Sequence, residues 1–281
     1  MGKIRFGPAG YPAAAKSSPQ KAFEILSEAG LTAFEFAAVR GLRTKEEVAK
    51  EIGALAAKFD ISMSLHGAYF INLASKDPDI RQRSKQRLIK ALTYAPWMNV
   101  KRIVFHPGTY GGLSNDDAHS VIRDALIEVW DEAGKKAGGA FLSPEIAGKI
   151  NSFGSVDQII RLCSEVEGAI PTIDWAHLYA RSQGEINNKS TYLSILNKFE
   201  DALGSRFLDN MHFHVSGIIY TKAGEASHRP LGAEWGPDLL PLMEIVSEVG
   251  YRPTFISETP EPIRGALYTK FLLEELESSK K

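Results

Sequence analysis

Apolar and polar residues recur along this chain with two periods. Runs with the spacing of strands are KIRFG, LTAFEFA, ISMSLH, VKRIVFH, GAFLSPE, IPTID, MHFHVS and PTFISE. Between them, and after the last, lie amphipathic stretches of helical period. SSPQKAFEILSEAG puts Ser18 at a helix N-cap, Pro19 in the first turn and Gly30 just past the end. TKEEVAKEIGALAAKF opens on Thr44 with Glu47 three residues on, the pattern of a capping box. Ser114 with Asp117 and Ser155 with Gln158 repeat it, and LPLMEIVSEVG and LYTKFLLEELES predict the last helices. About eight strand–helix units follow one another with no linker, hinge or composition shift. That succession predicts an α/β fold, a single (β/α)8 TIM barrel over residues 1–281. The longest irregular stretch, 217–237, follows the seventh strand and reads as a functional loop.

Composition narrows the class. Hydrophobic residues make up 44% and charged residues 24%, with a formal net charge of -1, as in an ordinary soluble globular protein. This balance argues against a strongly basic nucleic-acid binder but leaves a local basic face open. The one cysteine, Cys163, allows no disulfide within the chain and reads as a small buried group on a helix. MGKIRFGPAG lacks the apolar core of a signal peptide, and no apolar run approaches the roughly 20 residues of a membrane span. The expectation is a cytoplasmic monomer with no membrane partner.

The histidines and carboxylates change the picture most. His66 ends the third strand, His106 the fourth and Glu145 the fifth. Asp174 ends the sixth with His177 three residues later, His212 and His214 lie on the seventh, His228 follows it, and Glu258 ends the eighth. Active sites of such barrels are built at that C-terminal end. Carboxylates gathered there without a cation would repel one another, so the set points to divalent metal. Imidazole with carboxylate and no thiolate suits Zn2+, with Mn2+ or Fe as alternatives. A zinc ion takes about three or four protein ligands, so this many candidates imply two or three ions. Two ions joined by a carboxylate activate water and clamp both oxygens of a displacement at phosphorus. Phosphoester hydrolysis is the first reading and sugar isomerisation the second. His119, in DDAHSVI, reads as a solvated helix residue.

The stretches LHGAYFINL, VFHPG, PEIAGK, IDWAHLYA, HFHVSG, SHRPLG and SETPEP, in this order, carry a resemblance. The chain resembles the endonuclease IV family of apurinic/apyrimidinic endonucleases, within the xylose isomerase-like barrel superfamily. The resemblance implies a three-zinc site. His66, His106 and Glu145 would hold the first ion, Glu145 would bridge to a second held by Asp174, His212 and Glu258, and His177 with His228 would hold the third. It implies that abasic sites in double-stranded DNA are cut on the 5′ side by metal-activated water, with Glu145 catalytic. It places Tyr69 and Phe70 as wedges in the base stack and Arg40 and Arg43 as DNA contacts. RQRSKQR, 81–87, reads as a solvated helix face within reach of phosphates, and Lys149 as a candidate phosphate contact. Two positions depart from the family pattern. Ala226 stands where an Asp ligand is expected, with Glu225 beside it as a stand-in. His214 stands where the family has Asn, as an extra ligand, a phosphate contact or a hydrogen-bond partner of a ligand. Alternatives are a sugar isomerase or epimerase, and a damaged-DNA binder with a degenerate third metal site.

Overall fold

A computed structural model describes residues 3–232 and 234–279; the two ends of the expected 1–281 span lie outside them. The eight expected strands form as β1 (Arg5–Pro8), β2 (Ala33–Ala37), β3 (Ser62–His66), β4 (Val100–Phe105), β5 (Phe141–Pro144), β6 (Ile173–Asp174), β7 (His212–Val215) and β10 (Thr254–Ser257). Two more, β8 (Gly217–Thr221) and β9 (Gly224–Arg229), stand apart as a hairpin. Pairing runs β2-β3-β4-β5 and β6-β7-β10-β1, all parallel. Isolated parallel bridges join the two halves, Ala9 to Glu35 on one side and Leu142 to Ala169 and Glu145 to Thr172 on the other. The ring closes as a (β/α)8 barrel.

Alternation explains which side chains enter the ring. On β2, Phe34 packs outward against Phe23, while Glu35 turns inward to Ser64. On β7, Phe213 packs outward against Trp175 and Phe255, and His212 and His214 turn inward together. The outer wall comprises α1 (Pro19–Glu28), α2 (Glu46–Lys58), α3 (Pro78–Tyr94), α4 (Asn115–Ala133), α5 (Val156–Glu165), α6 (Trp175–Arg181), α7 (Lys189–Leu203), α8 (Ser205–Leu208), α9 (Leu240–Val249) and α10 (Pro262–Ser278). Among the described residues no helix is long and apolar enough to cross a membrane.

Ser18 caps α1, Ser114 caps α4, and Ser155 with Gln158 forms the full capping box of α5. Thr44 does not cap α2. That helix starts at Glu46 with Lys45 at the N-cap, so the Thr44 hydroxyl lies one residue too early to reach the free N–H groups. His119 is buried rather than solvated. It faces the seam between α4 and α5, where its Nε2 is 2.9 Å from Glu165. Cys163 is buried as expected, and burial pushes its thiol pKa up.

The stretch after β7 is not irregular: much of it is the β8–β9 hairpin. Ile218 packs on Ala176 and Ala180 of α6, and Tyr220 meets Tyr179 edge-on. These contacts give the hairpin an apolar face to bury.

One close approach sets the β1–β2 corner. A Cβ on Gly7 would sit 1.8 Å from the Ala33 carbonyl oxygen. Gly7→Ala is therefore expected to cost about 3 kcal/mol of stability, measured by urea denaturation.

Candidate metal centre

The strand ends deliver the site. His66 is the last residue of β3, and His106, Glu145 and Glu258 each follow the last residue of β4, β5 and β10. Asp174 does two jobs by position. It ends β6 and is the N-cap of α6, its Oδ1 accepting from the His177 backbone N–H at 2.7 Å. The Asp-x-x-His spacing is thus the spacing of an N-cap and its third helical residue. Capping occupies Oδ1 and leaves Oδ2 buried with no hydrogen-bond donor.

Glu145 is fully buried, and its two oxygens look two ways. Oε2 lies 3.2 Å from His66 Nε2 and 3.3 Å from His106 Nε2. Oε1 lies 3.1 Å from His214 Nδ1 and 3.4 Å from His177 Nδ1. Ligand-competent atoms gather, all within 4.8 Å of one another, in the groups His66–His106–Glu145, Glu145–Asp174–His214–Glu258 and Asp174–His177–His228. Glu145 belongs to the first two groups and Asp174 to the last two.

Backbone carbonyls fix the tautomers, since a carbonyl can only accept. The Nδ1–H groups of His66, His177 and His228 donate to the carbonyls of Gly67, Ile146 and Glu258, each at 3.0 Å. In each ring Nε2 is then the atom that would ligate a metal, once any proton it carries is lost. The orphaned Asp174 Oδ2, the oriented imidazoles and the absence of thiolate all fit one or more divalent ions.

Charge follows the same geometry. Burial alone would raise the Glu145 pKa, but His106, His214 and His177 outweigh it and hold the carboxyl well below the usual range. Burial opposes protonation of His66, yet its hydrogen bond to Glu145 raises it to about 9. Burial pushes His106 down to about 4, with His177 and His66 adding to the effect. Burial and then the charge of Glu145 raise Glu258.

The two histidines of β7 differ in depth. His214 is level with Asp174 on the neighbouring strand and enters the ligand groups. His212 enters none; it lies one inward position earlier, its Nε2 3.3 Å from Glu35 Oε2. Burial and then the nearby Arg102 cation push His212 down to about 3. Glu35, which strand-end reasoning missed, is fully buried and accepts from Ser64 at 2.7 Å. It lies 3.2 Å from His214 Nε2 and accepts a hydrogen bond from it, which leaves Nδ1 facing Glu145. Glu35 also groups with His66, His214 and Glu258 as a candidate ligand.

The departure at Ala226 has a local answer. The hairpin register pairs Ile219 with Ser227 and Tyr220 with Glu225, leaving Ala226 as the extra residue of a β-bulge. A bulge reverses the alternation beyond it. Ala226 is exposed, and Glu225 turns inward to place Oε2 3.5 Å from His177 Nε2. The hairpin tip is held down, as the Glu225 N–H donates to the Gly148 carbonyl and the Ile150 N–H to that of Ala223.

The xylose isomerase-like TIM barrel family model matches residues 23–276. The chain belongs to this family. An uncharacterized protein of Methanocaldococcus jannaschii is 34% identical over 257 residues, 91% of either chain. A probable endonuclease 4 of Thermoplasma volcanium is 25% identical over 242 residues, 82% of this chain and 81% of that one. Against the longer apurinic-apyrimidinic endonuclease 1 of Plasmodium berghei, 27% identical over 180 residues, the match takes in 61% of this chain and 34% of the other. Among solved structures, endonuclease IV of Thermus thermophilus aligns with TM-score 0.74 at 19% identity, covering 96% of this chain and 99% of that one. A D-psicose 3-epimerase of Clostridium cellulolyticum aligns with TM-score 0.68 at 14% identity, covering 99% and 97%. These likenesses support the endonuclease IV-like branch; the barrel itself is shared with sugar epimerases.

Around this family barrel's mouth, Tyr69 and Phe70 stand 69% and 48% exposed, unusual for side chains so large and apolar. Tyr69 and Phe70 wall a groove of about 520 Å³ that also contains His106, Lys149 and Glu225. Arg40 and Arg43 are exposed on the loop after β2, on the far side of Phe70.

Proposed function

We propose that the chain is a metal-dependent phosphodiesterase of DNA base-excision repair, an endonuclease that cuts 5′ to abasic sites. The observation that carries this reading is Glu145, whose two oxygens serve two adjoining ligand groups, with a third group sharing Asp174. Zinc is the proposed ion, with manganese or iron as alternatives, held by His66, His106, Glu145, Asp174, His177, His214, His228 and Glu258. Such ions supply an acidified water and charge stabilisation for the attacking and leaving oxygens at phosphorus.

The chain's own residues do the rest. Tyr69 and Phe70 enter the base stack and turn the abasic nucleotide into the mouth. Lys149, Arg40 and Arg43 meet phosphates and fix the strand's register. Glu35 holds the His214 tautomer, and the carbonyls of Gly67, Ile146 and Glu258 hold the other rings. His66 and its protonated neighbours must lose protons as metal binds. Since His66 is raised to about 9, zinc addition at pH 7 is expected to release protons and apparent affinity to fall as pH drops. Calorimetry in buffers of different ionisation enthalpy measures both.

Glu225 is proposed as the replacement carboxylate of the third group. Glu225→Gln is expected to lower zinc content by up to one ion per chain and affinity at that site by about 10–100-fold, read by atomic emission. Unchanged content would leave Asp174, His177 and His228 as the whole third set.

A duplex carrying one tetrahydrofuran abasic analogue tests the function. Incision on the 5′ side, lost with chelator and restored by zinc or manganese, is the expected result. Binding without incision under any metal would favour the damaged-DNA binder that Ala226 suggested. Interconversion of D-fructose and D-psicose without incision would favour the epimerase.

A further inference from the structure

Beyond Phe70, away from the metal ligands, lies a second cavity of about 400 Å³. Five cations ring it: Arg40 and Arg43 from the loop after β2, and Arg83, Arg87 and Lys90 from α3. No carboxylate lines it, although the chain has as many acidic as basic residues to within one. None of the five makes an ion pair among the described residues, whereas Lys85 on the same helix pairs with Glu128. Burial and then repulsion from Arg83 lower the Arg87 pKa, as expected of cations crowded without a counterion.

The floor is of a different character. Leu65, Leu88 and Ala91 make it apolar, and Phe70 forms one wall with the Arg87 guanidinium 4.4 Å from its ring centroid. A cationic rim over an apolar floor with an aromatic wall suits a ligand with a planar apolar body and an anionic end. The volume falls within the range of about 300–1,000 Å³ common to small-molecule sites. Phe70 also walls the groove that holds His106 and Glu225, so one strand can pass from that groove over Phe70 into the cavity.

We infer that this cavity is a nucleotide subsite, taking one nucleotide of the bound strand with its phosphate on the arginine rim and its base against Phe70 and the apolar floor. Its assignment to a DNA strand rests on the function proposed above; the nucleotide site itself does not. Base stacking on an aromatic is worth about 1–3 kcal/mol, and each phosphate contact adds a salt-dependent increment.

The test titrates metal-free protein with thymidine 5′-monophosphate and, separately, with the abasic duplex. It compares wild type with the double variant Arg83→Gln, Arg87→Gln, the first side chain exposed and the second half-buried, with circular dichroism checking the fold. Wild type is expected to bind the nucleotide with amide shifts along α3, and the variant at least about 10-fold more weakly. On the duplex, the variant's salt-dependence slope is expected to fall by about 1, the one phosphate held on the rim. Nucleotide binding lost in the variant, but no duplex binding by wild type, would keep the subsite and remove the DNA reading. No nucleotide binding, or equal binding by the variant, would overturn the subsite whatever the duplex does. Inorganic phosphate competing as tightly as the nucleotide would overturn the base contact.

Discussion

Glu145→Gln is expected to lower incision of an abasic duplex by about 10³-fold or more and to remove at least one metal ion per chain. Glutamine keeps the shape but replaces one oxygen with an amide nitrogen that cannot ligate. Both faces of Glu145 are in use, so neither orientation of the amide spares the site: one meets His66 and His106, the other His214 and His177. The loss also removes the charge that holds His66 protonated without metal, so its pKa should fall from about 9. Rate, metal content and the His66 NMR titration are three independent readouts. A variant with normal metal content and a rate within tenfold of wild type would remove Glu145 from the centre of the account.

The β7 histidines are expected to separate cleanly. His214→Asn should lose metal and lower incision by about 10²–10³-fold, because its Nδ1 sits in the group with Glu145, Asp174 and Glu258. His212→Asn should keep its metal. Its loss leaves the buried Glu35 with one fewer donor, costing about 1–3 kcal/mol of stability by denaturant titration. Metal lost from the His212 variant and kept by the His214 variant would reverse the assignment.

Much of this is legible in the sequence. Strand periodicity located all eight barrel strands, and placing His66, His106, Glu145, Asp174 and Glu258 at strand ends put them at one mouth. The side shared by His212 and His214 was legible because alternation sets it. Their depth was not, because it depends on the stagger that levels His214 with Asp174. Glu35 was missed for a related reason. It lies in the middle of β2, and its depth follows from the stagger that pairs it with Ser64 on β3 and bridges it to Ala9. Glu225 required the bulge at Ala226, where one extra residue reverses which side chains face inward, and no periodicity marks it. The hairpin was hidden because its apolar face, Ile218 and Tyr220, is too short to stand out from loop sequence.

The central claim is that this mouth directs water to phosphorus on the 5′ side of an abasic nucleotide. Incision of the tetrahydrofuran duplex in ¹⁸O-labelled water, followed by mass spectrometry of both fragments, tests it most directly. The account predicts one ¹⁸O in the phosphate left on the 5′ end of the downstream fragment and an unlabelled 3′-hydroxyl upstream. Label in a 3′-phosphate, or cleavage with no label incorporated, would contradict it.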